Sequence, residues 1–179
     1  MLRAFRQDGS INVVVESPRG SSVKLKYDPD DDVMTLSRPL PAGLVYPYDW
    51  GFVPSTRAPD GDPVDAVILW DVASYPGVVV PCRAIGLLEV EQTNLVSKRR
   101  ERNDRLAMLP IKAPRHAEIS SVFDLPARLR EELEQFFLHA VAFEGKAVTI
   151  LGWTGPDAAQ RDVRRFELKP SKRRRRSTP

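Results

Sequence analysis

One cysteine, Cys82, and two histidines among 179 residues leave this chain almost none of the side chains that disulfides, soft-metal centres or thiol nucleophiles require. Cys82 lies in the apolar stretch Val78 to Leu88, where a buried structural thiol in a reducing compartment is the expected role. Long apolar runs are missing as well. No stretch approaches the roughly 18 uninterrupted residues of a membrane span, and Met1 to Gln7, with Arg3 and Arg6, lacks the apolar core of a signal peptide. The expectation is a soluble, cytoplasmic protein with no membrane partner. No internal repeat is visible, which argues against a solenoid.

A basic domain is absent too, despite a net charge of +3 and a pI near 9.2. Lys172 to Arg176 supplies five consecutive cations, and the remainder carries about −2. We therefore expect a single domain over 1–168 and a disordered basic C-terminal tail over 169–179. Nucleic acid is a partner only through that tail, and a solvated tail is the plainer reading. With 42% apolar residues the chain can bury one core, and it is too short for two.

What is present first is strand signal. Ile11 to Glu16 is β-branched and apolar, the Ser17 to Ser22 segment is a turn, and Val23 to Tyr27 alternates with period two, placing Lys24 and Lys26 on one face. Asp28 to Asp32 reads as a hairpin tip, and Val33 to Leu36 as the returning strand that delivers Arg38. Val45 to Pro54 is aromatic and broken by prolines, so an extended but irregular path is expected. Val64 to Val72, Val78 to Leu88 and Leu106 to Pro110 add strands. Helix comes late. Asp124-Leu125-Pro126 predicts a cap, and Leu129, Leu133, Phe136, Phe137, Ala140 and Val141 recur at helical spacing to about Phe143. Ala147 to Trp153 reads as a final strand, and a short helix runs from Pro156 to about Phe166. Strands first and helices afterward indicate an α+β class, a small barrel with helices outside it.

Asp60-Gly61-Asp62-Pro63-Val64-Asp65 carries the chemistry. Three carboxylates stand within six residues, on a turn that enters the apolar run Ala66 to Trp70. A Pro- and Gly-rich surface turn is the plain alternative. As hard oxygen donors they suit Mg²⁺, which binds through few carboxylates and leaves room for water and phosphate. Phosphate chemistry also needs cations, for which Lys24 and Arg38 are candidates, although an ordinary surface charge is the commoner role of each.

The series Glu16 to Ser21, Lys24, Tyr27-Asp28, Arg38, Tyr46-Pro47, Gly51 to Pro54 and Asp60 to Asp65 resembles the family I soluble inorganic pyrophosphatases. Gly77, Cys82-Arg83, Gly86, Asp124 to Pro126, Phe136-Phe137 and Gly152-Trp153 extend the likeness over about Ile11 to Trp153. The resemblance implies a small five-stranded OB-like β-barrel with flanking helices, a homo-oligomer, and hydrolysis of pyrophosphate to two phosphates with several Mg²⁺ ions. By that likeness Asp60 and Asp65 bind metal, Glu16 holds water on the metal, and Asp62 accepts the proton of the attacking water. Lys24, Arg38, Tyr46 and Arg105 then face the substrate phosphates.

Several positions depart from the family pattern. Trp50 stands where the family has a phosphate-binding tyrosine, and Lys26 replaces a carboxylate. Two metal-binding aspartates correspond to Gln92 and Asn103, a lysine becomes Arg105, and a helical Tyr-Lys pair becomes Ala140-Val141. The basic loop at Lys98 to Arg100 is expanded, and Glu91, Glu101 or Asp104 beside it could replace the lost carboxylates. A weakened pyrophosphatase is therefore the leading expectation. A hydrolase of a larger phosphoanhydride, such as a nucleotide or polyphosphate, and an inactive binding protein are the alternatives.

Overall fold

The computed structural model describes residues 2–169; the basic tail expected over 169–179 lies, from residue 170 onward, outside them. In chain order the strands are β1 (Ile11–Ser17), β2 (Val23–Asp28), β3 (Val33–Pro39), β4 (Asp49–Phe52), β5 (Asp65–Ile68), β6 (Val79–Thr93), β7 (Arg100–Arg102), β8 (Arg105–Pro110) and β9 (Val148–Thr154). The helices are α1 (Ala127–Ala140) and α2 (Pro156–Phe166).

Five of these strands close on themselves: β1 pairs with β4, β4 with β5, β5 with β8, β8 with β6, and β6 returns to β1. Closure removes free edges from the ring. It is uneven, because β5 and β8 run parallel while the other pairs are antiparallel. The 15-residue β6 reaches beyond the ring to hold β7 and β9. The result is the OB-like α+β barrel expected from the sequence.

Both faces of the ring are covered, which is why β8 is buried at every position and runs continuously apolar after Arg105. Ile11, Val13, Val15, Ala66, Ile68, Leu106 and Met108 join Ala159 and Val163 of α2 in one cluster. The alternate residues Val67, Leu69, Ala107 and Leu109 meet Leu133, Phe136 and Phe137 of α1 in the other. Cys82 is fully buried in the first cluster, and burial pushes its thiol pKa up, in keeping with a structural role.

Three local expectations shift. Residues 49–52 form a regular strand, since the segment is fixed on both sides by β1 and β5. Asp124 does not cap α1: it accepts from the backbone N–H groups of Ser120 and Ser121, both at 2.8 Å, and completes a capping box on the short 3₁₀ turn Val122–Asp124. Pro126 leads into α1 without a side-chain cap. The helix also stops at Ala140 rather than near Phe143, so Val141 to Gly145 forms a turn beside the cleft.

Candidate active site

The ribbon β2–β3 stands apart as a two-stranded sheet, and it aims its cations at the barrel mouth. A register shift next to Lys24 leaves Lys24 and Arg38 as direct cross-strand partners. Like charges in that position repel, so the pair is stable only where anions gather. Arg38 forms an ion pair with Glu144, which also holds Lys146 at 3.3 Å. Glu144 and Lys146 gain their place from the turn after α1, where Gly145 has φ +68°. Neither was singled out from the sequence; the Glu-Gly-Lys turn following Ala140-Val141 was the available signal.

The Asp60 to Asp65 turn and β5 form the facing wall. Together with Lys24, Arg38, Tyr46, Trp50, Gln92, Asn103, Arg105 and Lys146, these carboxylates line a cleft of about 90 Å³. Asp65 is the cross-strand partner of Arg105 on the parallel β5–β8 pair. Among the described residues, no hydrogen bond or ion pair reaches the Asp65 carboxylate. Burial raises its pKa, against the attraction of Arg105 and Lys24. Asp60 is pushed up to about 6 by burial and by the charge of Asp65. Glu16, 7% exposed, is pushed up to about 7 by burial, although it accepts the Tyr27 backbone N–H at 2.8 Å.

Asp62 is drawn elsewhere. Both its oxygens accept from Lys26 Nζ, at 3.0 and 2.9 Å. Among the described residues, no three carboxylates stand together as a preassembled metal group. The donor set still fits a hard divalent cation. Asp60 and Asp65 repel one another inside a half-buried cleft, and a cation between them would relieve that repulsion.

On the substrate side, Arg105 is buried beneath the Phe137 ring, its guanidinium carbon 5.4 Å from the centroid, and burial lowers its pKa. It donates to the Asn103 carbonyl. The Nε–H of Arg105 and the indole N–H of Trp50 are shielded from solvent without an acceptor among the described residues. Two such orphan donors on one cleft wall are what an incoming anion would satisfy. Tyr46 is 5% exposed, its ring 5.2 Å from that of Phe136, and burial pushes its hydroxyl up to about 12, so it stays a neutral donor.

The proposed replacements for the lost carboxylates separate cleanly. Asp104 points away, held by Arg102 at 2.8 Å and by the Val90 N–H at 2.8 Å, while Arg105 turns inward. Glu91 is paired with Arg100, which also donates to Thr149 and the Ala147 carbonyl, so this loop cation is not free for an outside partner. Glu101, opposite Gln92 on β7, is the one near the cleft: its charge contributes to the raised pKa of Asp60. Asn94 holds it at 2.8 Å.

Comparison with known proteins adds the decisive observation: the family model of inorganic pyrophosphatases matches residues 13–168. The chain belongs to the family I soluble inorganic pyrophosphatases. That membership makes it a hydrolase of the inorganic diphosphatase class. It is 37% identical to the inorganic pyrophosphatase of Synechocystis sp. over 84% of this chain and 85% of that protein. With the inorganic pyrophosphatase of Thermus thermophilus the identity is 38%, over 86% of each. The solved Thermus thermophilus structure superposes with a TM-score of 0.83 at 35% identity, covering 91% of this chain and 92% of that one. The Helicobacter pylori enzyme gives 0.84 at 30%, over 92% and 95%. The family match thus covers nearly the whole barrel.

Proposed function

We propose that this chain hydrolyses inorganic pyrophosphate with the help of Mg²⁺, water adding to one phosphorus as the bridging oxygen leaves with the other phosphate. The observation that carries the reading is the convergence of Asp60, Asp62 and Asp65 with Lys24, Arg38 and Arg105 on one small cleft. Asp60, Asp65 and Glu16 are the residues that would hold the metal. Bound there, Mg²⁺ supplies positive charge for the phosphate oxygens and acidifies the attacking water.

The remaining work falls to the chain itself. Asp62 accepts the proton of the attacking water, once released from Lys26. Lys24 and Arg38 grip one phosphate from the ribbon side, with a geometry fixed by their shared register position. Arg105, Tyr46 and the Trp50 N–H face the other from the barrel wall. A free volume of about 90 Å³ supports a small inorganic substrate, since organic ligand sites commonly span ~300–1,000 Å³. Ala140 and Val141 line this cleft too, and with both in place its free volume stays that small. A homo-oligomer and a cytoplasmic location belong to the same proposal; among the described residues no helix is long and apolar enough to cross a membrane.

The test is phosphate release from pyrophosphate by purified protein with and without Mg²⁺, beside Asp62→Asn. Turnover that requires both the metal and Asp62 is expected. Release that persists in Asp62→Asn, or none at all from the folded protein, overturns the reading.

A further inference from the structure

Resting on that metal-dependent reading, we propose that Lys26 is a tethered cation that takes the place of one divalent ion among the carboxylates of the cleft. Its ammonium lies against both oxygens of Asp62, at 3.0 and 2.9 Å. The negative charges of Glu16 and Asp65 also act on this ammonium and favour it in that position beside Asp62. A divalent ion bridging Asp62 to its neighbours would need that space.

The backbone holds Lys26 there. Its own carbonyl accepts from Thr35 Oγ1 across the ribbon at 3.1 Å, and the next residue, Tyr27, donates its N–H to Glu16 at 2.8 Å. The backbone on either side of Lys26 is therefore anchored, to Thr35 and to Glu16, while the four-carbon stem lets the charge reach Asp62. Lys suits this role because its ammonium is a compact point charge on a flexible stem, whereas Mg²⁺ demands near-octahedral oxygen ligands at about 2.1 Å. The opposite wall matches the smaller cation load, since Gln92, 4% exposed, and Asn103 contribute neutral amides where carboxylates would call for further metal. Lys26 and Mg²⁺ then compete for Asp62, and the metal-free chain keeps Asp62 closed until substrate and metal arrive.

The experiment is calorimetric titration of Mg²⁺ into the full-length chain near pH 8 without pyrophosphate, for wild type, Lys26→Gln and Lys26→Arg, with thermal melts to show that each is folded. Lys26→Gln is expected to bind at least one additional Mg²⁺ per chain, or to bind Mg²⁺ tenfold or more tightly. Lys26→Arg, which keeps the charge, is expected to stay close to wild type. Identical stoichiometry and affinity in wild type and Lys26→Gln overturns the inference alone. Absence of Mg²⁺ binding by all three proteins overturns it together with the metal-dependent reading.

Discussion

Lys24 and Arg38 face each other across β2 and β3, two cations at directly opposed register positions. Arg38 has Glu144 to answer its charge, whereas Lys24 makes no ion pair among the described residues and acts on Glu16 and Asp65 only through its field. Substrate phosphate is the group that would neutralise both at once.

Lys24→Met is expected to lower kcat/KM for pyrophosphate by about 10² to 10³, the usual effect of losing one preorganised charge on a reacting phosphate. Steady-state phosphate release checks this, and a loss below tenfold would remove Lys24 from the substrate site.

Proton linkage predicts an unusual stability profile for the metal-free chain. Glu16 is raised to about 7, and Asp60 and Asp162 to about 6, in each case chiefly by burial. A carboxyl with a raised pKa binds its proton more tightly when folded, so its contribution is present at low pH and is lost as the pH rises through the folded value. The unfolding midpoint without metal should therefore fall between pH 5 and pH 8. Mg²⁺ should restore the part due to Glu16 and Asp60, but leave the part due to Asp162, which lies outside the cleft and is also repelled by Asp104. Scanning calorimetry across that range reads both, and a midpoint that rises to pH 8 without metal would refute the assignment.

Barrel closure depends on Gly51. A Cβ at this position would lie 2.0 Å from the Val14 carbonyl oxygen, which belongs to the paired strand and cannot turn aside. Gly51→Ala is expected to cost about 3 kcal/mol or more of folding stability through overpacking. Denaturant unfolding measures it; a change under ~1 kcal/mol would mean that β1 and β4 separate more easily than their register indicates.

Asp49 ties three segments together behind the site. Fully buried, it accepts from the Arg19 N–H at 2.7 Å, the Trp70 indole at 3.0 Å and the Ser74 N–H at 3.1 Å. Asp49→Ala leaves those donors without their acceptor and should destabilise the chain by roughly 3 kcal/mol. Retention of wild-type stability in the same unfolding assay would show that water replaces the carboxylate.

Much of the molecule was legible in the linear chain. Strong β-branched runs such as Ile11 to Glu16 and the 3.6-residue periodicity of 129–140 are local signals, and closure into a ring was implied by the family likeness carried by Gly51 to Pro54 and Asp60 to Asp65. The nature of the chemistry was equally local, because three hard carboxylates at a strand entrance restrict the choice of ligand whatever the surroundings.

Tertiary structure alone decided how those groups are spent. Asp104 and Arg105 are neighbours in sequence, yet strand alternation and the grip of Arg102 send one outward and the other beneath Phe137. The early end of α1 brings Glu144 and Lys146 to the cleft, a consequence of where Val141 to Gly145 turns. The pairing of Lys26 with Asp62 spans 36 positions. Composition and spacing pointed to a small α+β barrel with hard carboxylates at a strand entrance. Which cation meets which carboxylate depended on strand register, because a shift of one residue reverses every side chain's face.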